Sequence, residues 1–111
     1  MKLKIPEKQV MRAVFDYLVA NRIFCWRNNS GAFRTDKRFI HFGAAGSPDI
    51  IAVHRGRFIG IECKGSKGRQ TPQQKQFQEA IELSGGIYIL AKSIDDVAAV
   101  IDNMPPNWPQ A

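Results

Sequence analysis

The chain has 111 residues, and single hydrophobic cores typically occupy about 100–150 residues, so one domain over residues 1–111 is expected. The apolar fraction of 44% is ordinary for a globular protein and argues against disorder. No apolar run approaches the ~20 residues of a membrane-spanning helix, and no signal-peptide pattern opens the chain, so no membrane partner is expected. The formal charge of +6 favours a polyanionic partner, above all nucleic acid, over a basic surface that serves only solubility.

The first predicted element is a helix over Glu7–Ala20. Pro6 suits the start of a helix, and the apolar residues that follow recur at the i, i+3, i+4, i+7 spacing of a helix with one buried face. A strand is predicted over residues 23–27, followed by a turn over residues 28–31. Residues 32–42 mix a basic run with flanking aromatic residues, and we interpret them as a loop and a short strand.

The next feature is a predicted antiparallel hairpin, formed by two short apolar strands around a turn at residues 54–57. Asp49 begins the first strand and Glu62 lies near the end of the second, so strand pairing makes these residues neighbours. Alternate residues of a strand share a face, so Glu62 and Lys64 point to one side and Cys63 to the other. Two carboxylates and an amine therefore meet at one edge of the sheet.

A basic loop over residues 65–70 leads into a helix with well-defined start signals. Thr71 is the expected N-cap, Pro72 occupies the first helical position, and Gln74 completes a capping box. Gly85 and the glycine after it supply the stop.

The chain continues with a dense apolar run over residues 87–91, which has the length of a strand. Ser93 and Asp96 form a second predicted capping box at the start of the last helix. Residues 106–111 are a short tail. The order α-β-(β)-β-β-α-β-α predicts an α/β fold with a mixed sheet flanked by helices.

Both cysteines, Cys25 and Cys63, fall in predicted strands. They fit buried free thiols better than a disulfide, and this usage favours a cytoplasmic compartment. His41 and His54 are interpreted as structural residues.

The hairpin carboxylates suit a hard divalent cation. Mg²⁺ and Mn²⁺ prefer oxygen ligands and retain several waters, so Asp49, Glu62 and the backbone carbonyl of Cys63 are enough to hold one. Such a cation makes a hydroxide-like nucleophile available near neutral pH, and Lys64 can orient that water or stabilise charge on a phosphoryl group. The alternative is structural, with Asp49 as a turn residue and Glu62 in a surface ion pair with Lys64.

Five segments of the sequence together resemble the VRR-NUC branch of the PD-(D/E)XK nucleases. The resemblance implies a restriction-endonuclease-like fold and metal-dependent hydrolysis of phosphodiester bonds. The chain is similar to the stand-alone bacterial and phage members, which dimerise and cut branched DNA such as four-way (Holliday) junctions. The segments that carry the resemblance are Glu7, residues 26–32 (WRNNSGA), residues 46–49 (GSPD), residues 61–65 (IECKG) and residues 71–75 (TPQQK).

The resemblance also implies roles for individual residues. Asp49 and Glu62 would bind the metal and Lys64 would be the catalytic lysine. Glu7 would complete the site directly or through water, although an acid in a first helical turn also favours the helix dipole. Gln74 matches the glutamine that lies near the family's site, although the capping box explains it equally well.

One position departs from the usual family pattern. The middle residue of the motif at residues 62–64 is Cys63, where an aliphatic residue is more common. Because only its backbone is needed and cysteine packs as a small hydrophobe, activity is still expected.

Basic residues on the predicted loops are candidate contacts for DNA phosphates, which position DNA without reading its sequence. Each of them can equally be a solvated surface charge. The Walker spacing is absent, so no nucleotide cofactor is expected. The candidate DNA-binding residues are Lys67, Arg69, Arg34, Lys37, Arg38 and Ser30.

These observations lead to the hypothesis of an Mg²⁺- or Mn²⁺-dependent endonuclease that cuts branched DNA in repair. A homodimer is expected, because symmetric cutting of a junction needs two active sites. The alternatives are a non-catalytic DNA-binding module on a nuclease fold and a nuclease that acts on unbranched DNA.

Overall fold

A four-stranded mixed sheet, a separate two-stranded sheet and three helices form the part of the chain that the structure describes. The structure is a computed structural model, and it describes residues 4–28, 31–34, 39–42 and 44–105. The α/β class with a mixed sheet, expected from the sequence, is confirmed. The elements are α1 (Glu7–Ala20), β1 (Phe24–Arg27), β2 (Gly31–Arg34), β3 (Phe39–Phe42), β4 (Ile50–His54), β5 (Arg57–Cys63), α2 (Pro72–Leu83), β6 (Ile87–Ala91) and α3 (Ile94–Ile101).

The strands of the main sheet lie in the order β1-β4-β5-β6. β4 is antiparallel to both β1 and β5, which confirms the central hairpin, whereas β5 and β6 run parallel with α2 in the connection between them. Arg55 and Gly56 both have positive φ, at 53° and 78°, as the two central residues of a type I′ turn require. That turn fixes the register of the hairpin, with Ile50 opposite Ile61.

The hydrophobic core lies on the face of the sheet that α1 and α3 cover. Val10, Val14 and Leu18 of α1 are buried at the helical spacing predicted from the sequence. Full burial of one such aliphatic side chain contributes about 1.5–3 kcal/mol to folding. The residue before β1, the sheet, α3 and the turn after α3 contribute the rest of the core: Ile23, Ile50, Ala52, Ile59, Ile61, Cys63, Ile89, Ala91, Val97, Ile101 and Met104.

Helix α2 packs near the opposite face of the sheet and comes close to it at Gly60. A Cβ atom on Gly60 would lie 2.7 Å from Cγ of Pro48 and 3.1 Å from Cδ1 of Ile81. The missing side chain therefore lets both the helix and the segment before β4 approach β5. Ile81 is accordingly the buried residue of α2.

Two details differ from the sequence-based expectations. The single short strand predicted for residues 32–42 is in fact a pair, because β2 and β3 join as a separate antiparallel two-stranded sheet. The second capping box, predicted from Ser93, was wrong. Ser93 makes no side-chain cap, and the Asp96 carboxylate instead accepts a hydrogen bond from the backbone N–H of Lys92 at 2.8 Å.

Both cysteines are free thiols, as expected, with Cys63 buried and Cys25 half-buried. Within the described ranges, no helix combines the length and the apolar character that crossing a membrane would require. The predicted tail at residues 106–111 lies outside the described residues.

Candidate active site

Asp49 and Glu62 lie side by side at one end of the central hairpin. The β4–β5 register places Ile50 opposite Ile61, so Asp49 and Glu62 are the next pair outward. Oδ2 of Asp49 accepts a hydrogen bond from the backbone N–H of Cys63 at 2.8 Å. The Glu62 carboxylate is 3% exposed. The proximity of the two acids, predicted from the strand pattern, is confirmed.

The segment that carries Asp49 is fixed by Asn28, the residue after β1. The Asn28 amide group donates to Oγ of Ser47 and to the carbonyl of Pro48, both at 2.9 Å. Its backbone N–H donates to the carbonyl of Asp49 at 2.8 Å. Three hydrogen bonds from one residue therefore position the first acid. In the sequence, Asn28 stood out only as a turn residue within the family motif.

The two carboxylate oxygens of Glu62 have different surroundings. Oε2 accepts a hydrogen bond from Nε2 of Gln74 at 2.9 Å and lies 3.6 Å from Nζ of Lys64. Oε1 is buried, and no hydrogen-bond partner for it is found among the described residues. A buried polar atom without a partner costs about 1–3 kcal/mol, and more when it is charged. A proton or a cation bound to Oε1 would therefore stabilise the site.

The charge on Glu62 is strongly disfavoured in the protein as it stands. Burial, followed by the negative charge of Asp49, raises the pKa of Glu62 to about 8, and the more distant Glu7 adds to this. The Lys64 ammonium lowers the pKa without cancelling the increase. The folded protein therefore favours the protonated form of Glu62 more than water does, and a cation beside Oε1 would oppose that preference.

Lys64 directly follows β5 and is held at both its backbone and its side chain. Its N–H donates to the carbonyl of Ala91 at 2.9 Å, which extends the pairing with β6. The side chain is only 10% exposed. Gly68 comes so close that a Cβ there would lie 3.1 Å from Cβ of Lys64. The loop after β5 thus packs along the lysine stem and directs its amine toward Glu62.

Gln74 performs two tasks at once. Oε1 of its side chain accepts a hydrogen bond from the backbone N–H of Thr71 at 2.9 Å, and the backbone N–H of Gln74 donates to Oγ1 of Thr71 at 3.2 Å. These two bonds form the predicted capping box. The remaining amide nitrogen of its side chain donates to Glu62. The structural and the site interpretation of Gln74 are therefore compatible, because they use different atoms.

Glu7 is exposed and is the first residue of α1. The segment just before this helix is hydrogen-bonded to the loop after β5. The N–H of Ser66 donates to the carbonyl of Ile5 at 3.0 Å, and the N–H of Ile5 donates back to Oγ of Ser66 at 3.1 Å. A Cβ on Gly65 would lie 2.6 Å from the Ile5 carbonyl oxygen and 3.0 Å from the N atom of Glu7. This close approach brings Glu7 within electrostatic range of Glu62.

The Cys63 side chain belongs to the core and not to the site. Burial, then the charges of Asp49 and Glu62, raise the pKa of the Cys63 thiol to about 12, so it stays protonated. Of Cys63, it is the backbone that meets the site, through the N–H that donates to Oδ2 of Asp49.

Tyr88 is a neighbour of the site that the sequence did not single out. It is the β6 partner of Gly60, and its hydroxyl accepts a hydrogen bond from Nε2 of Gln70 at 3.2 Å. Burial is the main cause that raises the Tyr88 pKa, and the charges of Glu62 and Asp49 add to it. The period-2 pattern of β6 was the available signal for its position.

The predicted DNA-binding residues fall into two groups. Lys67 and Arg69 are exposed on the loop that leads from Lys64 to α2. Arg34 belongs to β2, but its side chain lies outside the described residues, as do Ser30, Lys37 and Arg38.

His54 ends β4 at the far end of the hairpin, and its pKa is lowered by burial and then by Arg55. The His41 side chain is also outside the described residues.

The donor set fits a hard divalent cation that keeps much of its water. Across the described ranges, no cluster of three or more His, Cys, Asp or Glu side chains forms a ready-made cage. Mg²⁺, however, is often bound by one or two carboxylates together with waters and substrate oxygens. Asp49 and Oε1 of Glu62, which has no hydrogen-bond partner in the described part of the chain, could supply these two carboxylates, and a cation there would relieve the repulsion between them.

Comparison with known proteins gives no match to a protein-family model, to a curated protein or to a solved structure. A functional interpretation of this chain therefore depends on its residues and on the geometry of the site.

Proposed function

We propose that this chain is a metal-dependent endonuclease that hydrolyses phosphodiester bonds in branched DNA such as four-way junctions. The observation that carries the proposal is the pairing of half-buried Asp49 with buried Glu62, beside the buried side chain of Lys64. One carboxylate oxygen of Glu62 has no hydrogen-bond partner among the described residues. Burying Glu62 and Lys64, with a second acid half-buried beside them, costs stability, so a role in folding alone does not explain these residues. The VRR-NUC resemblance and a restriction-endonuclease-like topology of the mixed sheet are part of this proposal.

Mg²⁺ or Mn²⁺ is the proposed cofactor. Asp49 and Glu62 would hold the cation with their carboxylates, Cys63 with its backbone carbonyl, and Glu7 directly or through a water. When bound, the cation supplies a water of lowered pKa and offsets negative charge on the phosphate. Gln74 holds Oε2 of Glu62 by a hydrogen bond, so Oε1 would be the oxygen available to the cation.

Lys64 is the proposed catalytic lysine. Its amine is 3.6 Å from Oε2 of Glu62, and the surrounding loop restricts its movement. An ammonium fixed in this way can donate to the attacking water or to a phosphate oxygen as negative charge develops. Because its stem is buried, little side-chain entropy remains to be lost when the substrate binds.

The substrate is proposed from charge. The formal charge of +6 favours association with a polyanion. Lys67 and Arg69 are exposed next to Lys64 and are the proposed phosphate contacts on this side of the site, with Arg34, Lys37, Arg38 and Ser30 as further candidates. Since one site cuts one strand, a homodimer is proposed for the symmetric cutting of a junction.

The test is cleavage of end-labelled linear, flapped and four-way DNA in Mg²⁺, Mn²⁺ or EDTA. Wild-type protein should cut the four-way substrate fastest and should be inactive in EDTA. Asp49→Ala and Lys64→Met should each lose at least about 100-fold in rate, as expected when a group that stabilises the transition state is removed. Arg12→Met is the matched control, because Arg12 is an exposed basic residue on α1, the helix that covers the opposite face of the sheet.

Each alternative predicts a different result. Tight DNA binding without cleavage in either metal would contradict an enzyme and favour a non-catalytic DNA-binding module. Equal cleavage of linear and branched DNA would remove the preference for branched structures. A protein that sediments as a monomer on junction DNA would contradict the paired-site arrangement.

A further inference from the structure

Two exposed aromatic side chains stand on the edge strand β1. Trp26 is 43% exposed and Phe24 is 68% exposed, although large aromatic residues are usually well buried. Their ring centroids are 5.5 Å apart with the planes tilted by 53°. Phe58 on β5 is a third exposed aromatic residue, at 41%. We call Phe24, Trp26 and Phe58 the aromatic strip.

The strand register places the aromatic strip on the same face of the sheet as the acids. Trp26 pairs with Ile51, and side chains of paired residues share a face. Asp49 is two residues from Ile51 and so points to that face as well. The neighbouring residue, Arg27, turns the other way, and its guanidinium contacts Sδ of Met11 on α1 at 3.2 Å.

The same register gives the distance between the strip and the site. Moving two residues along a strand covers about 7 Å, and moving to the next strand covers about 5 Å. The Cα atoms of Trp26 and Asp49 are therefore about 8 Å apart, diagonally across β1 and β4. Phe24 is two residues farther along β1, on the side away from Asp49. In an extended single strand of DNA, successive phosphates are separated by a similar distance, so a base on Trp26 and a phosphate at Asp49 can belong to adjacent nucleotides.

We infer that Trp26 and Phe24 form a stacking platform for the bases of an unpaired DNA strand next to the phosphate that is cut. The inference builds on the proposed function and specifies its substrate: a branched DNA in which nucleotides at the branch point are single-stranded. Aromatic side chains stack on every type of base, so the platform recognises exposed bases without selecting a sequence.

Charge and area favour this occupant over another protein chain. The formal charge of +6 suits a polyanion. A large aromatic side chain presents roughly 150–250 Å² in full, so three that are half exposed offer about 300 Å². A stable protein interface buries about 800 Å² on each partner. The strip is large enough for two or three bases but small for a dimer contact.

The experiment measures binding without chemistry. A labelled oligothymidylate is titrated with protein in EDTA, and fluorescence anisotropy reports the dissociation constant. Trp26→Leu should weaken binding about tenfold, which is within the range found for base–aromatic stacking, while Trp26→Phe should stay close to wild type. Phe24→Leu should weaken binding less. Leu83→Ala is the control, since Leu83 is 81% exposed on α2 and away from β1.

A second measurement links stacking to cleavage. Trp26→Leu should reduce cleavage of a junction with unpaired nucleotides at its centre by about tenfold, and that of a fully paired junction much less. Thermal melting of Trp26→Leu and Phe24→Leu should match wild type, because both side chains are on the surface.

The outcomes separate this inference from the proposed function. Unchanged oligothymidylate binding by both Trp26→Leu and Phe24→Leu overturns the platform. A change in sedimentation without a change in DNA binding also overturns it and assigns the strip to contact between copies. If Trp26→Leu loses binding while wild-type protein cuts no DNA in any metal, the platform stands and the nuclease proposal fails.

Discussion

Nε2 of Gln74 donates a hydrogen bond to Oε2 of Glu62 at 2.9 Å, while Oε1 of the same Gln74 side chain accepts one from the cap of α2. The start of a helix and the orientation of an acid on a neighbouring strand therefore depend on one amide. Few residue types can do this, because the side chain needs an acceptor for the cap and a donor for the carboxylate.

Gln74→Glu separates these two tasks. The new carboxylate still accepts from Thr71, so the cap of α2 remains, but it can no longer donate to Glu62 and adds negative charge beside it. A hydrogen bond to a charged group is worth about 1.5–3 kcal/mol, so we expect a cleavage rate about 10- to 100-fold lower, with little loss of helix content. Gln76→Glu, an exposed position on the same helix, controls for the added charge. Equal activity of the two variants would contradict the role of Gln74.

The stability of the metal-free protein should fall as the pH rises from about 4.5 to about 8. Burial raises the pKa of Glu62 from 4.5 to about 8, so the folded state holds the proton more tightly than the unfolded state. The resulting stabilisation is complete below pH 4.5 and is lost as the pH rises through about 8. Thermal unfolding in EDTA from pH 4 to pH 9 measures this. Glu62→Gln should melt progressively higher than wild type as the pH increases, whereas a constant difference would refute the assignment.

Metal binding should release a proton. Below about pH 8, Glu62 must lose its proton before it can bind a cation. We therefore expect Mg²⁺ affinity to rise by up to about tenfold per pH unit between pH 6 and pH 8 and then to level off. Calorimetry in two buffers with different ionisation enthalpies counts the released protons. In Glu62→Gln the proton release should disappear, and an unchanged release in that variant would assign it to another group.

Glu7 offers a way to tell a site residue from a helix-dipole residue. Glu7→Gln removes the charge at an exposed position, so the free energy of unfolding should change by no more than about 0.3–1 kcal/mol. If Glu7 helps to hold the cation, cleavage at limiting Mg²⁺ should fall about tenfold and recover at high Mg²⁺. Glu79→Gln on α2 is the matched exposed control. A loss that high Mg²⁺ does not rescue would argue against Glu7 as a metal-binding residue.

Asn28→Asp tests the hydrogen bonds by which Asn28 positions the segment that carries Asp49. The substitution keeps the shape of the side chain but removes the donors to Ser47 and to the carbonyl of Pro48, and it places a negative charge close to Asp49. We expect a loss of about 2–3 kcal/mol in the free energy of unfolding and a lower cleavage rate. Asn103→Asp, whose amide donates only to a carbonyl in α3, is the comparison. Similar destabilisation by both variants would show that the hydrogen bonds of Asn28 stabilise the protein no more than the single bond of Asn103 does.

The sequence was informative where local chemistry determines structure. The bounds of α1, the capping box at Thr71 and the Asp49–Glu62 pairing all followed from short-range patterns, namely helical spacing, cap residues and strand alternation. Each of these signals extends over fewer than about eight residues or across a single tight turn. The hairpin was the most informative case, because its turn determines which residues of the two strands face each other.

Contacts between distant segments could not be predicted in this way. The bonds from Asn28 to the segment before β4 and the contact of Gln74 with Glu62 depend on how β1 and α2 pack against the hairpin. The pairing of β2 with β3 was missed because the polar, basic residues between them indicate a loop as readily as a hairpin. The raised pKa of Glu62 also needs the folded environment, since its main cause is burial.

The alternation along β5 has a consequence for how this chain can vary. Ile61 and Cys63 build the core, while Gly60 and Glu62 build the opposite face, so single substitutions on one face leave the other intact. A deletion or insertion of one residue in β5 exchanges the two faces at once, placing a carboxylate in the core and an aliphatic side chain in the site. This strand can therefore accept changes of residue far more readily than changes of length, and sequences that share its chemistry should keep its spacing.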